Sequence, residues 1–404
     1  MNHIFSIGNI QKASIGLYLL LIIALIYSFF LITIVNIALL VLAIIYLVFH
    51  WKGLKVNWLP VIILALGFAP YLMGLFNSDE TDRALRAIQH NLSYLSLPLA
   101  VVLLPTLSTK QRNSVFTMFI LIVIASTIPV FYKYFLNFAE INQSLGMGKA
   151  IPTPIDHVRY SIFLSIAFVF SCILFITKKD FIGKYLKYAF LGTAVYLFIA
   201  VHVLAVRSGI GLSYLGLLMA GSLLLYQSKK YYIMAFLWLV IIISPVFAYY
   251  AIPSFQNKIK YTRYDLSLSQ ADKGANYSDS ERIRSFKIGI DIWKDYKMIG
   301  IGTGDLKREM GNRYEEKYTQ GGRAFLPHNQ VIKILASSGI LGLLLFAISF
   351  YGPFLWNQNF RDPFILALVS MLTVSFLVEA TLERSYMLAL YLLLASLLYK
   401  KSIS

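Results

Sequence analysis

Apolar residues fall in long unbroken blocks along this chain, and polar residues gather in the connections between them. A membrane-crossing helix needs about 20 mostly apolar residues. The block 13–50 is long enough for two such helices with a tight turn at 31–36. Further blocks follow at 59–76, 88–104, 114–136, 158–177, 188–206, 208–226 and 231–251, and three more at 331–354, 363–378 and 385–399. The pattern predicts an all-α polytopic membrane protein of about 12 transmembrane helices. One stretch interrupts it. Residues 252–330, between the ninth and tenth predicted spans, form the only long polar segment, dense in Arg, Lys, Tyr and Gly. There is no repeat, heptad or low-complexity linker, so residues 1–404 read as a single membrane domain with one long, partly helical loop.

The placement of charge orients the chain. Basic residues cluster in alternate connections: Lys12; Lys52 and Lys55; Lys110 and Arg112; Lys178, Lys179, Lys184 and Lys187; Lys229 and Lys230; Arg361; Lys400 and Lys401. By the positive-inside rule these connections are cytoplasmic, as are both termini. The intervening connections mix acids with bases, among them Asp79, Glu80, Asp82, Arg83 and Arg86, and then 140–156 and 379–384. They face the other side, and 252–330 joins them as an extracytoplasmic loop. Composition agrees, since 58% hydrophobic and 14% charged residues over 404 positions exclude a soluble globular domain. The net charge of +17 is spread over the connections instead of forming one basic patch, which argues against nucleic acid as a partner. Cys172 is the lone cysteine and forms no intrachain disulfide. The first apolar block is too long for a signal-peptide core and lacks a small-residue cleavage pattern, so it is expected to stay uncleaved.

The long loop has internal order. Ser278, Asp279 and Ser280 are N-cap candidates, and Ile283, Phe286, Ile290 and Trp293 recur at helical spacing, predicting an amphipathic helix to about Lys297. Arg282 opens it. Arg284, Lys287, Asp291 and Lys294 lie on the opposite face, where a solvated, partly paired surface is the simplest reading. The run from Gly300 to Asp305 (GIGTGD) then breaks the chain. No strand precedes it and its spacing is neither a phosphate-binding loop nor a dinucleotide fingerprint, so it reads as a tight turn with Asp305 capping a second helix.

Two further positions stand out. Arg207 lies between two spans, where a guanidinium either anchors at the interface or holds an anion. Gly209, Ser213, Gly216 and Ala220 behind it are spaced to let helices approach closely and fix that arginine, which favours the anion. His202, about a turn deeper, reads as a hydrogen-bonded packing residue. His328, in the run PHNQ at the start of a span, is either structural or a general base, since a helix start favours a neutral imidazole and a nearby anion.

In this order, Arg207 before a small-residue-rich span, Arg282 and Phe286 on a helix ending at Gly300, Gly302 and Gly304, and His328-Asn329 before a Gly-containing span resemble the O-antigen ligase and O-antigen polymerase superfamily. The resemblance covers 205–342. Phe286 stands where that helix often carries Trp, a departure that touches packing more than chemistry. The resemblance implies a membrane glycosyltransferase of the GT-C type in the bacterial inner membrane, with a glycan on undecaprenyl pyrophosphate as donor and a lipid A-core sugar or other glycan as acceptor. It also implies that arginines and a loop histidine do the work. Guanidinium forks pair bidentately with phosphate oxygens, so Arg207 and Arg282 are the expected pyrophosphate clamp, with Arg284 in reserve. His328 is the expected base, deprotonating the acceptor hydroxyl for an inverting displacement. Clamping a leaving pyrophosphate needs no metal, and no cofactor or nucleotide is expected. Glu379 and Glu383, near Arg384, read as members of a local ion pair.

A ligase acting on lipid A-core is the leading reading and a polysaccharide polymerase using the same donor is the alternative. A polysaccharide or lipid transporter is a third. Its weakness is that charged residues sit at span ends, whereas coupled transporters keep ionisable groups or broken helices at mid-membrane.

Overall fold

A computed structural model describes residues 6–53, 56–177, 184–270, 278–318 and 324–400. Lys55, Lys178, Lys179 and Lys401 of the basic clusters lie outside the described residues. In chain order the helices are α1 (Ile7–Tyr27), α2 (Phe29–His50), α3 (Leu59–Ala65), α4 (Ala69–Phe76), α5 (Thr81–Asn91), α6 (Ser93–Leu103), α7 (Thr109–Leu136), α8 (Phe138–Gly146) and α9 (His157–Thr177). Then follow α10 (Lys184–Leu204), α11 (Arg207–Gln227), α12 (Tyr231–Ala251), α13 (Pro253–Gln270), α14 (Ser278–Asp295), α15 (Leu306–Lys317), α16 (Gln330–Leu355), α17 (Pro363–Val378) and α18 (Ser385–Tyr399).

The chain is a multi-pass membrane protein of helices alone among the described residues. Nine described helical segments are long and apolar enough to cross a membrane, with α3 and α4 counting together as one. The other three predicted spans are shorter helices: α17 and α18, and α6, whose block 88–104 is split at Leu92 from the amphipathic α5. Hydropathy alone could not see that split, because Leu92 is itself apolar. The first hairpin also turns earlier than expected. Ser28 ends α1 and starts α2, its hydroxyl accepting from the Leu31 amide at 3.3 Å, so the turn lies at 28 and not at 31–36. Ser28 serves both helix ends, its backbone amide donating to Ala24 O at 2.9 Å and its hydroxyl capping α2, and these local bonds outweigh the polar signal of Asn36, which is buried and bonded to Ser93 at 3.1 Å.

The described chain forms two compact units. The second comprises Asn113–Tyr264 and Gln358–Val374. Its centre is α9, whose residues are buried almost throughout, with α10 and α11 against it. The small residues of α11 do what their spacing implies: a Cβ on Gly209 would overlap Ser161, one on Gly216 would overlap Val169 and Met371, and Ser165 Oγ donates to the Gly209 carbonyl at 2.7 Å. His202 is fully buried, bonded to Phe198 O at 2.8 Å and the Tyr214 hydroxyl at 3.0 Å, a packing residue as read.

The first unit comprises Met1–Arg112, Asp265–Asn357 and Ser375–Ser404. Within it the glycine turn 300–304 is a clasp. Gly300 and Gly302 have φ of 70° and 102°, and side chains there would strike the Ser337–Ser338 peptide and the Asn77 carbonyl. The amides of Ile301 and Gly302 donate to Ala336 O and Ser337 O, both at 2.9 Å. From the far side of the kink, Ile340 and Leu341 donate to Lys297 O and Met298 O at 2.9 and 3.2 Å. Helix α16 is broken there at Gly339, with φ 65° and ψ −165°. Its lost internal hydrogen bonds are therefore replaced by bonds to the turn. Asp305 corrects the sequence reading. It makes no side-chain cap on α15, and its carboxylate instead accepts from the amides of Asp79 and Glu80 at 2.7 and 3.1 Å, ahead of α5. Two consecutive orphan amides at a helix start attract a carboxylate more strongly than one.

Candidate active site

The start of α16 is held by three consecutive residues, each bonded to the turn between α17 and α18. Asn329 is the N-cap: its Oδ1 accepts from the Ile332 amide at 3.0 Å while its Nδ2 donates to Leu377 O at 3.0 Å. Gln330, fully buried, accepts from the Leu382 amide at 3.0 Å and donates to Glu383 Oε1 at 3.1 Å. His328 Nδ1 lies 3.2 Å from Glu379 Oε1 and 3.4 Å from Oε2. The pairing with His328 corrects the expectation that Glu379 joins a local pair with Arg384.

A carboxylate only accepts, so in a neutral imidazole the bond fixes the proton on Nδ1 and leaves the Nε2 lone pair for a substrate. Glu379 is 5% exposed, whereas the His328 side chain keeps about a third of its surface, 32%. A buried orienting carboxylate behind a reachable imidazole is the arrangement of a general base with its positioning group. Phe325 lies beside the ring, 5.9 Å between centroids.

Glu383 anchors a second network beneath the first. Its carboxylate meets Lys333 Nζ at 2.8 Å, the Tyr71 hydroxyl at 2.9 Å and Gln330 Nε2 at 3.1 Å. Burial alone would push the Glu383 carboxyl up, but the Lys333 ammonium and the bonds from Lys333, Tyr71 and Gln330 outweigh it and hold the group below its ordinary range. Lys333 lies on α16 one turn and a half after His328, so the same few residues fix the helix and neutralise the acid.

The two arginines of α14 part company. Arg282 lies seven residues before Gly289, hence on the same helical face about 10 Å along the axis. Gly289 is where α14 presses on Pro327 and Ile332, which flank His328 and the Asn329 cap. Arg284 instead sits over the Tyr318 ring, 4.6 Å from its centroid. The buried stripe of α14 is Ser285, Ile288 and Ile292, in a core with Leu306, Met310, Tyr314 and Ala336. The expected stripe of Ile283, Phe286, Ile290 and Trp293 is correct in period and wrong in phase, since Ile283 is 43% exposed. Both stripes are apolar, and only the position of α15 and α16 decides between them. The opposite face is paired as read, Asp291 with Lys294 at 3.5 Å and with Lys317.

In the second unit, Arg207 is the first residue of α11, exposed, two residues after Ala205, whose φ of 54° turns the chain sharply out of α10. Sequence reasoning missed Asn329 and Gln330 as cap and dock, and it missed Lys333 and Tyr71 altogether. The available signal was the pair of acids Glu379 and Glu383 between two apolar blocks, which demands buried donors from elsewhere. Residues 192–347 match the family described as O-antigen ligase. No curated protein matches the chain.

Proposed function

We propose, on the match of residues 192–347 to the O-antigen ligase family, that the chain is an inverting, metal-independent glycosyltransferase of that superfamily, moving a glycan from undecaprenyl pyrophosphate to an acceptor hydroxyl. The acceptor in this reading is a sugar of lipid A-core, met on the periplasmic face of the inner membrane by the extracytoplasmic segment 252–330, with both termini cytoplasmic. The observation that carries it is the buried Glu379 behind a reachable His328. Arg207, Arg282, Arg284 and His328 all fall within the matched 192–347.

The steps balance without a further reactant. His328 Nε2 takes the proton of the acceptor hydroxyl as its oxygen bonds to the anomeric carbon. The bond from that carbon to the pyrophosphate oxygen breaks, and the electron pair leaves with undecaprenyl pyrophosphate. Arg207 and Arg282 bind that group and stabilise the charge growing on it. Arg284, occupied by Tyr318, contributes less.

The test is transfer from a purified lipid-linked donor by detergent-solubilised protein, normalised to folded protein. His328→Ala should cost about 10²- to 10⁴-fold in the chemical step while donor binding persists. His328→Gln should be equally inactive, and near-normal transfer by it would remove the base assignment. A deletion strain separates ligase from polymerase: long lipid-linked glycan accumulates if a ligase is lost, and single repeat units if a polymerase is lost.

A further inference from the structure

Two substrates have to meet at His328, and the side chains around it differ in what they can hold. Glu379 takes the Nδ1 side of the ring. Pro327 and Ile332 are covered by α14 at Gly289. Phe325 lies beside the imidazole, inclined to it by 47°, and is only half-buried. Ala324 and Leu326 on either side of it are exposed. Residues 324–326 are therefore an accessible apolar run directly ahead of the base, with no charge of their own to hold a phosphate.

Helix α14 extends this surface. It runs beside α16 in the same direction, since Gly289 meets Ile332 while the carbonyls of Lys297 and Met298 accept from the amides of Ile340 and Leu341. Its earlier residues thus lie toward the His328 end. Arg282, Phe286 and Gly289 share one face of α14 at spacings of four and three. Phe286, itself half-buried, comes between the Arg282 guanidinium and the contact with Pro327. Along this face a cation comes first, then an aromatic ring, and then the base with a second ring beside it. The two ends suit different substrates. A diphosphate belongs with the guanidinium, whereas the face of an aromatic ring carries partial negative charge and suits the C–H bonds of a neutral sugar. A hydroxyl giving its proton to Nε2 lies about 2.6–3.2 Å from it, so the sugar that carries it comes within reach of Phe325.

We propose that Phe325 is the platform for the acceptor: an uncharged hexopyranose lays an apolar C–H face on this ring and presents its hydroxyl to His328, with Phe286 flanking it on the side of Arg282. The assignment rests on the transferase reading, and it adds the acceptor's chemistry, a sugar without phosphate at the point of attachment. The test uses the full-length protein in phosphatidylcholine nanodiscs with a purified lipid-linked donor. Acceptors are soluble oligosaccharides ending in glucose or galactose, with and without a phosphate on that last sugar. Phe325→Leu should raise the acceptor KM about tenfold and leave kcat and the donor KM within about twofold. Phe325→Met gives the same comparison should Leu not fold. Phe325→Trp should transfer like the wild type, and its added emission, read against the five native tryptophans, should change when acceptor is supplied without donor. The wild type should use the phosphorylated acceptor with a KM at least about tenfold higher than its parent. A Phe325→Leu variant that loses kcat at unchanged acceptor KM would make the ring a shield for the base and overturn the proposal. Equal use of the phosphorylated acceptor, or a silent Phe325→Trp, would overturn it too. A clear Phe325→Trp response in a protein that transfers no glycan would uphold the platform and sink the transferase reading instead.

Discussion

Glu379→Gln is the sharpest probe of the site. The change keeps shape and leaves an amide oxygen to accept from His328 Nδ1, so the tautomer survives, but it removes the charge that stabilises the imidazolium formed as the acceptor proton arrives. The wild-type bond is 3.2 Å long from an acidic side chain only 7% exposed, so solvent screens it little. A hydrogen bond to a charged group is worth about 1.5–3 kcal/mol, which converts to roughly 10- to 150-fold in rate. The loss should fall on kcat with the donor KM unchanged, because Glu379 touches the base and not the leaving group. Glu379→Ala should cost more, since it frees the ring as well. The assay is transfer from a purified lipid-linked donor, with melting temperature recorded for each variant. Unchanged kcat in Glu379→Gln, or a loss tracking only the yield of folded protein, would refute the reasoning.

Four other outcomes are expected. Arg282→Ala should raise the donor KM well above the effect of Arg284→Ala, whose guanidinium rests on Tyr318; equal effects would return Arg282 to a surface role. Lys333→Met leaves Glu383 buried without its counter-charge and should cost about 3–5 kcal/mol, read by denaturation in detergent. Because Glu383 is held below its ordinary range, its stabilising contribution is complete above about pH 4.3 and is lost as pH falls through the depressed value, so Glu383→Gln should flatten the acid limb of the stability profile. Gly300→Ala forces a side chain into φ 70° and onto the Ser337–Ser338 peptide, and should cost at least about 1–3 kcal/mol in melting experiments.

Periodicity and charge made much of this molecule legible. The apolar blocks, the loop helices α14 and α15 and the close approach of α11 through Gly209 and Gly216 follow from spacing, because they depend on residues near one another in the chain, whereas α13 was not foreseen. What spacing could not show were pairings across long separations. Glu379 lies 51 residues after His328 and Glu383 lies 312 after Tyr71, and no local pattern marks an acid as reserved for one partner. The same holds for Asp305, whose carboxylate serves amides 225 and 226 positions earlier. The phase of α14 fails for a related reason, since two apolar stripes are equivalent until a neighbouring helix chooses one.

The three-point dock of His328, Asn329 and Gln330 also has a consequence for biogenesis. Its counterpart, the turn from Leu377 to Glu383, leaves the ribosome well after the dock itself, Glu379 being 51 residues after His328. Helix α14 and the glycine clasp can form while synthesis continues, but the histidine stays unoriented until Glu379 is made. On the proposed reading, a nascent chain that stops short of that turn has its arginines but lacks a working base, so it would bind donor without consuming it. Chains stopped before Leu377 should behave as inert decoys rather than as weak enzymes.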